Sequence, residues 1–262
     1  MRIASWGHAV FAVTLVALGV MGLIQGHFTS TWTGVPSRLP AYGALTYVSA
    51  MISIACGIGL LFARTALLAS RVLLAYLLLW LLLFRVSHIA FAPKSIDTWW
   101  GLGDTAVMLA ATWVLCGWFA DAGQALRLGR VFYALALIPF GIAHFTNLND
   151  TAPLVPAWLP WHVGFAYFTG AAFIAASIAV LSRILGRLAA TLSACQLALF
   201  TLLVWGPVVV AGATPPQWTE FVTSWVLTAA AWVVADSYRG TGWLAVGSLR
   251  IPALAAQPAL RR

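Results

Sequence analysis

His144-Phe145-Thr146, followed by Val155-Pro156-Ala157-Trp158-Leu159-Pro160, decides the fold, because nearly the same words stand earlier as His27-Phe28-Thr29 and Val35-Pro36-Ser37-Arg38-Leu39-Pro40. The triplets are 117 residues apart and the Val-Pro-x-x-Leu-Pro segments 120 apart. The spacing persists downstream. Tyr47 falls on Tyr167 and Ile58 on Ile178 at 120, while Trp99 falls on Trp218 and Trp113-Val114 on Trp232-Val233 at 119. Shared Ala or Leu means little in so apolar a chain, but shared His, Trp, Tyr and paired Pro at one spacing marks an internal repeat. The expectation is two similar halves, 1–122 and 123–239, with a basic cytoplasmic tail over 240–262.

Composition sets the solvent. The chain is 62% hydrophobic and only 8% charged, with a mean hydropathy of +0.94. Soluble domains carry about 25% charged residues, so the partner of this surface is a lipid bilayer. A spanning helix needs about 20 apolar residues. Eight segments meet that need: 6–25, 43–62, 66–87, 102–120, 128–145, 162–181, 188–211 and 219–236. The expected fold is therefore all-α, a polytopic membrane protein of eight transmembrane helices arranged as two parallel four-helix repeats. Pro139 interrupts the fifth segment, and neighbouring helices can satisfy the carbonyl it frees, so a kink is expected rather than a break. A removable signal peptide is the competing interpretation of the first segment. It would discard half of the repeated motif.

Cytoplasmic loops collect Arg and Lys. Arg2, Arg64, Arg71, Arg127, Arg130, Arg183, Arg187, Arg239, Arg250, Arg261 and Arg262 sort to one side of the eight segments, and only Arg38, Arg85 and Lys94 to the other. Both termini are expected in the cytoplasm of a cell bounded by a bacterial-type plasma membrane, with the chain multi-pass. The net charge of +8 then needs no nucleic acid. Four helices per half means the second half re-enters in the same orientation, as in parallel-repeat transporters.

This orientation gathers the polar residues at the extracytoplasmic face. His27 and His144 end the first and fifth segments at matching repeat positions. They suit either interfacial hydrogen bonding or a pair that handles protons, contacts a quinone or binds a metal; nothing else in the sequence argues for haem. Arg85 and His88 are three apart, hence on one helical face, and ionisable groups at membrane depth are expensive unless they face a partner or a cavity. Asp104, at the start of the fourth segment, is the expected counter-ion, or else a cap. Glu220 lies in the first turn of the eighth, where the helix dipole favours an anion. Asn147 and His162 complete the candidate ligand-binding or proton-handling set near the mouth of a cleft. Trp6, Trp32, Trp99, Trp100, Trp118, Trp158, Trp161 and Trp218 cluster at segment ends, as an aromatic belt would. Cys56, Cys116 and Cys195 are isolated within apolar helices and read as buried small hydrophobes. No metal site follows from their spacing, and no catalytic motif is present in a usable context.

The pattern Gly141-Ile142-Ala143-His144-Phe145, then Val155 to Pro160, Tyr167-Phe168-Thr169-Gly170 and Arg183 resembles the DoxX-like membrane family. The match is good over 130–236 and weaker over 15–120, where Pro36-Ser37-Arg38-Leu39-Pro40 lacks the Trp and Ala50 stands for the glycine. Family members are usually single four-helix units, so the chain is similar to a tandem fusion of two. The resemblance implies a link to redox maintenance: the family is named for the membrane subunit of a thiosulfate:quinone oxidoreductase. The function expected is a redox-linked membrane subunit that binds a quinone or small hydrophobic ligand, or docks a membrane or extracytoplasmic redox partner, with no catalysis by the isolated chain. A small-solute transporter or permease, and a non-catalytic membrane scaffold, are the alternatives. A quinone is the cofactor candidate, and haem is disfavoured.

Overall fold

The computed structural model describes residues 4–32 and 34–246. Within them the protein is all-helical, with eight long helices: α1 (Trp6–Gln25), α2 (Tyr42–Leu61), α3 (Ala66–Phe91), α4 (Ile96–Phe119), α5 (Gly123–Thr146), α6 (His162–Ser182), α7 (Gly186–Val210) and α8 (Pro215–Asp236). The first seven are long and apolar enough to cross a membrane, as in a polytopic membrane protein. Helix α8 has the length but carries Thr219, Glu220, Thr223, Ser224 and Thr228. Arg2, Arg250, Arg261 and Arg262, which entered the expected charge asymmetry, lie outside the described residues, as does most of the 240–262 tail.

Each helix packs on its neighbour in sequence. In addition α4 lies along α5, α8 lies along α1, and α4 and α8 meet in the middle. That central position explains the composition of the two inner helices. Val107, Met108, Leu109, Ala110, Ala111, Val114 and Leu115 of α4 are fully buried, as are Val226, Ala229, Ala230, Ala231, Val233 and Val234 of α8. A helix lined by protein has no need of the apolar surface that lipid demands, so α8 tolerates its hydroxyls. Two glycines allow close approaches to these inner helices. A Cβ at Gly129 of α5 would come within 2.9 Å of the Ala110 carbonyl oxygen and 3.1 Å of the Val114 nitrogen. A Cβ at Gly7 of α1 would stand 2.9 Å from the Val233 nitrogen.

Glycines of α1 and α5 make similar contacts. Gly7 meets Val233 as Gly129 meets Val114, and Gly19 meets Ala50 and Ile54 as Gly141 meets Gly170 and Ile174. Both comparisons give an offset of 122 between α1 and α5. The words His27-Phe28-Thr29 and His144-Phe145-Thr146 are 117 apart, so the two histidines do not occupy matching places. His144 lies inside α5, whereas His27 follows Gly26, whose left-handed φ of 66° ends α1.

Local irregularities are confined to α3 and α7. Residues Leu81–Val86 and Thr201–Trp205 are π-helical. In α7 the cause is visible: Pro207 has no N–H and its ring crowds the preceding turn, which a widened turn relieves. Pro139, by contrast, sits inside a continuous α5, so it does not break the helix. The segment Ser30–Trp32 forms a 3₁₀ turn that buries Trp32 against Tyr76 and Trp80, with ring centroids 5.2 and 5.1 Å apart. Trp32 is thus a core residue rather than part of an interfacial belt; Trp6, Trp158 and Trp161 remain well exposed. Cys56 and Cys116 are buried, but Cys195 is exposed on the outer face of α7.

Candidate functional site

The centre of the polar end is Arg85, carried on the π turn of α3 and 5% exposed. Its Nε donates to Thr105 Oγ1 at 3.1 Å and an NH2 hydrogen donates to the Thr31 carbonyl at 2.8 Å. Gly101 of α4 makes room for it, since a Cβ there would collide with the guanidinium. The widened turn separates Arg85 from His88. Arg85 points inward while His88 is exposed, so the three-residue spacing does not put them on one face as it would in an unbroken α-helix.

Asp104 is half-buried and acts electrostatically on both Arg85 and Glu220. Neither acid is a cap. Helix α4 starts at Ile96, six residues earlier than the hydropathy suggested, because the amphipathic turn Ile96-Asp97-Thr98-Trp99-Trp100 joins it. Asp104 therefore lies about 12 Å along the helix at 1.5 Å per residue. Helix α8 starts at Pro215, and its N-terminus is closed by a capping box of Thr214 and Gln217, in which Gln217 Oε1 accepts from the Thr214 N–H at 2.9 Å. Glu220 is left free of that duty and accepts a short hydrogen bond from Ser30 Oγ. One turn further on, Thr223 Oγ1 meets Thr31 Oγ1 at 3.3 Å.

The Ser30–Trp32 turn thus stitches α3 to α8, and three ionisable groups from α3, α4 and α8 converge beneath it. An aromatic group lies alongside: Phe28, Trp32, Tyr76, Trp80 and Phe84 make successive ring contacts with centroids 4.7 to 5.7 Å apart. Within it the indole N–H groups of Trp32 and Trp80 are buried and have no hydrogen-bond partner among the described residues. Buried donors are nearly always paired, so two orphans beside an ionic cluster mark the place.

The other candidates lie elsewhere. His144 Nδ1 contacts the Phe140 carbonyl at 2.7 Å and its ring tilts against Phe173 of α6. His27 is exposed, with Nδ1 3.1 Å from its own neighbour's carbonyl at Phe28. It lines a shallow groove with Met21, Ile24, Gln25, Pro215 and Trp218. Asn147 Nδ2 donates to Thr146 Oγ1, and His162 begins α6, half-buried. No group of His, Cys, Asp and Glu able to hold a metal occurs among the described residues.

Of the sequence candidates, then, the structure unites Arg85, Asp104 and Glu220 and adds Ser30, Thr31, Thr105 and Thr223. The polar stripe Thr219-Glu220-Thr223 in an otherwise apolar helix was a signal for the α8 contribution. Nothing in the sequence pointed to Ser30 or Thr31, which reach the site only through the return of a loop. Compared with known proteins, the chain matches no family model, no curated protein and no solved structure.

Proposed function

We propose that the chain is an eight-span membrane protein of the DoxX-like type, built as two parallel four-helix repeats, α1–α4 and α5–α8, with both termini cytoplasmic. In this reading the Arg85–Asp104–Glu220 cluster, at the extracytoplasmic end, binds the polar head of a quinone or similar small hydrophobic molecule for a redox partner. The observation that carries the ligand site is the convergence of three ionisable groups from α3, α4 and α8 below the helix ends, a costly arrangement in a bilayer that is kept where it serves a ligand, a proton or an ion. The guanidinium and the orphan indole N–H groups of Trp32 and Trp80 are donors for a carbonyl oxygen, and the aromatic rings beside them suit a flat apolar headgroup. Asp104 and Glu220 outnumber their one cation, which equips the cluster to take up a proton.

Three features support the repeat. The helices of each half have the same neighbours in the same order. The π turns begin at Leu81 and Thr201, at the spacing of 120 found in the sequence. Gly7 and Gly129 make matching contacts with Val233 and Val114. For the eighth span, burial of α8 among α1, α4 and α7 accounts for its lower hydropathy. The orientation rests on the arginines at the end opposite Arg85.

A transporter is the second reading, favoured by the paired irregularities in α3 and α7, since helices broken at corresponding positions in two repeats accompany substrate sites. Against it, the α4–α8 seam is filled by Val, Leu and Ala side chains. The test is to purify the full chain in mild detergent, identify bound small molecules by mass spectrometry, and titrate a short-chain ubiquinone by tryptophan quenching. Binding that weakens roughly tenfold or more in Asp104→Asn, the scale of one charge-assisted hydrogen bond, bears the proposal out. Equal or absent quenching in both proteins, with phospholipid alone in the preparation, overturns it and directs the work to solute uptake in proteoliposomes.

A further inference from the structure

At the end opposite Arg85, residues of α5, α6, α7 and the segment after α8 enclose a small cavity of about 90 Å³. Three arginines line it: Arg127, Arg130 and Arg183. Arg130 is fixed in place. Its guanidinium carbon stands 3.9 Å above the Tyr238 ring, its Nε donates to Ser237 Oγ at 2.9 Å, and an NH2 hydrogen makes a short bond to the Ser237 carbonyl. Arg183 is also held by the fold. It ends α6 in the left-handed conformation, with φ 61°, a strained placement for a residue with a Cβ that surrounding structure has to enforce. That structure is the following strand-like contact, in which the Leu185 N–H donates to the Ala245 carbonyl at 3.0 Å and Ile184 bridges Val246. Arg187 next to it stacks over Trp243 at 3.9 Å and donates to the Thr241 carbonyl. The beginning of the 240–262 tail is therefore docked rather than a loose surface segment.

The charge in the cavity is one-sided. No Asp or Glu lines it among the described residues, and Asp236 gives its Oδ1 to Arg239 at 2.9 Å. Residues 247–262, which follow, contain no Asp or Glu either. Arg127 and Arg183 are exposed at its rim, whereas Val131, Val180 and Leu181 form its apolar wall. Three guanidiniums around a cavity of that size are a match for the tetrahedral oxygens of a phosphate, which arginine recognises by paired N–H donors.

We propose that this cavity binds a phosphate group, either a phosphodiester or phosphomonoester lipid headgroup at the membrane surface or a free phosphate. The apolar wall and the position at the helix ends are the features of basic pockets that hold anionic lipid headgroups between membrane helices. The site is independent of the Arg85 cluster and of any quinone.

The test uses the full chain in mild detergent, with binding read as the shift in thermal unfolding caused by inorganic phosphate, by dioctanoyl phosphatidylglycerol, or by dioctanoyl phosphatidylcholine. The comparison variant is Arg127→Gln/Arg183→Gln, which leaves the Ser237 and Tyr238 contacts of Arg130 intact and keeps the fold. Stabilisation by phosphatidylglycerol alone assigns a lipid headgroup, and stabilisation by inorganic phosphate as well assigns a phosphate of either source. In both cases the double variant should bind about thirtyfold more weakly, the effect of two arginines near a membrane surface. Equal shifts with phosphatidylcholine and phosphatidylglycerol, no shift with any probe, or shifts unchanged in the double variant would overturn the proposal.

Discussion

Two arginines, Arg85, which is buried, and Arg130, which is half-buried, sit at opposite ends of the same bundle and are held by different means. Arg85 faces the carboxylate of Asp104, which in turn faces Glu220, and its hydrogen bonds go to Thr105 and the Thr31 carbonyl. Arg130 lies on an aromatic ring, bonds to Ser237, and shares its cavity with two further arginines. The first environment has more negative charge than positive; the second has only positive. Burial of a cation alone therefore does not say what a site does. The surplus left after its neighbours are counted does, pointing to a proton or a hydrogen-bond acceptor at the Arg85 end and to an anion at the other.

The contrast can be broken by removing each cation. Arg85→Ala leaves Asp104 without its counter-ion, and the loss of one member of a buried charge group costs about 3 kcal/mol or more. Thermal or denaturant unfolding in detergent should show it; a loss under about 1 kcal/mol means that Asp104 does not depend on Arg85. Arg130→Gln gives up a cation–π contact and the two hydrogen bonds to Ser237 but strands no acid, so a smaller loss of about 1–2 kcal/mol is expected. If Arg130→Gln proves as damaging as Arg85→Ala, the distinction drawn here between the two environments fails.

The smallest effect sharpens the comparison. Burial pushes the Tyr238 hydroxyl above the ordinary phenol range, while Arg130 and Arg183 pull it partly back. A raised value in the folded chain means that Tyr238 contributes stability that is fully present below the unfolded pKa of about 10 and is lost as pH rises through the folded value. Phenolate absorbance, with Tyr238→Phe as the reference that lacks the group, should show Tyr238 titrating late. Arg183→Gln should delay it further, because one of the two downward influences is gone. An earlier titration in that variant would mean that Arg183 does not face the ring.

Much of this was legible in the sequence for simple reasons. Spans follow from the length of apolar runs, so the eight segments reappear as helices with ends displaced by a few residues, seven of them long and apolar enough to cross a membrane. Arg85, Asp104 and Glu220 stood out because charges are rare in such runs. His27-Phe28-Thr29 and His144-Phe145-Thr146 match as words, whereas His27 follows the end of α1 and His144 lies inside α5. Sequence identity marks what residues are alike; close approach of backbones decides which of them are placed alike.

The expectation for Arg85 and His88 failed for a related reason. Spacing assigns faces only while the turn keeps its pitch, and the π turn Leu81–Val86 changes it. The caps assigned to Asp104 and Glu220 failed because amphipathic and proline-led turns extend α4 and α8 outward beyond the reach of hydropathy.

The sequence by itself determined that the chain is a bundle of apolar helices, since 62% hydrophobic residues in runs of about 20 leave a bilayer as the surroundings. Only the tertiary structure decided which helices lie at the centre, that Ser30 and Thr31 return to join α3 to α8, and that Arg183 shares one cavity with Arg127 and Arg130. Helix formation depends on neighbours within a few residues. The meeting of Ser30 with Glu220, or of Arg130 with Tyr238, depends on side-chain packing between segments more than a hundred residues apart, and no local pattern encodes it.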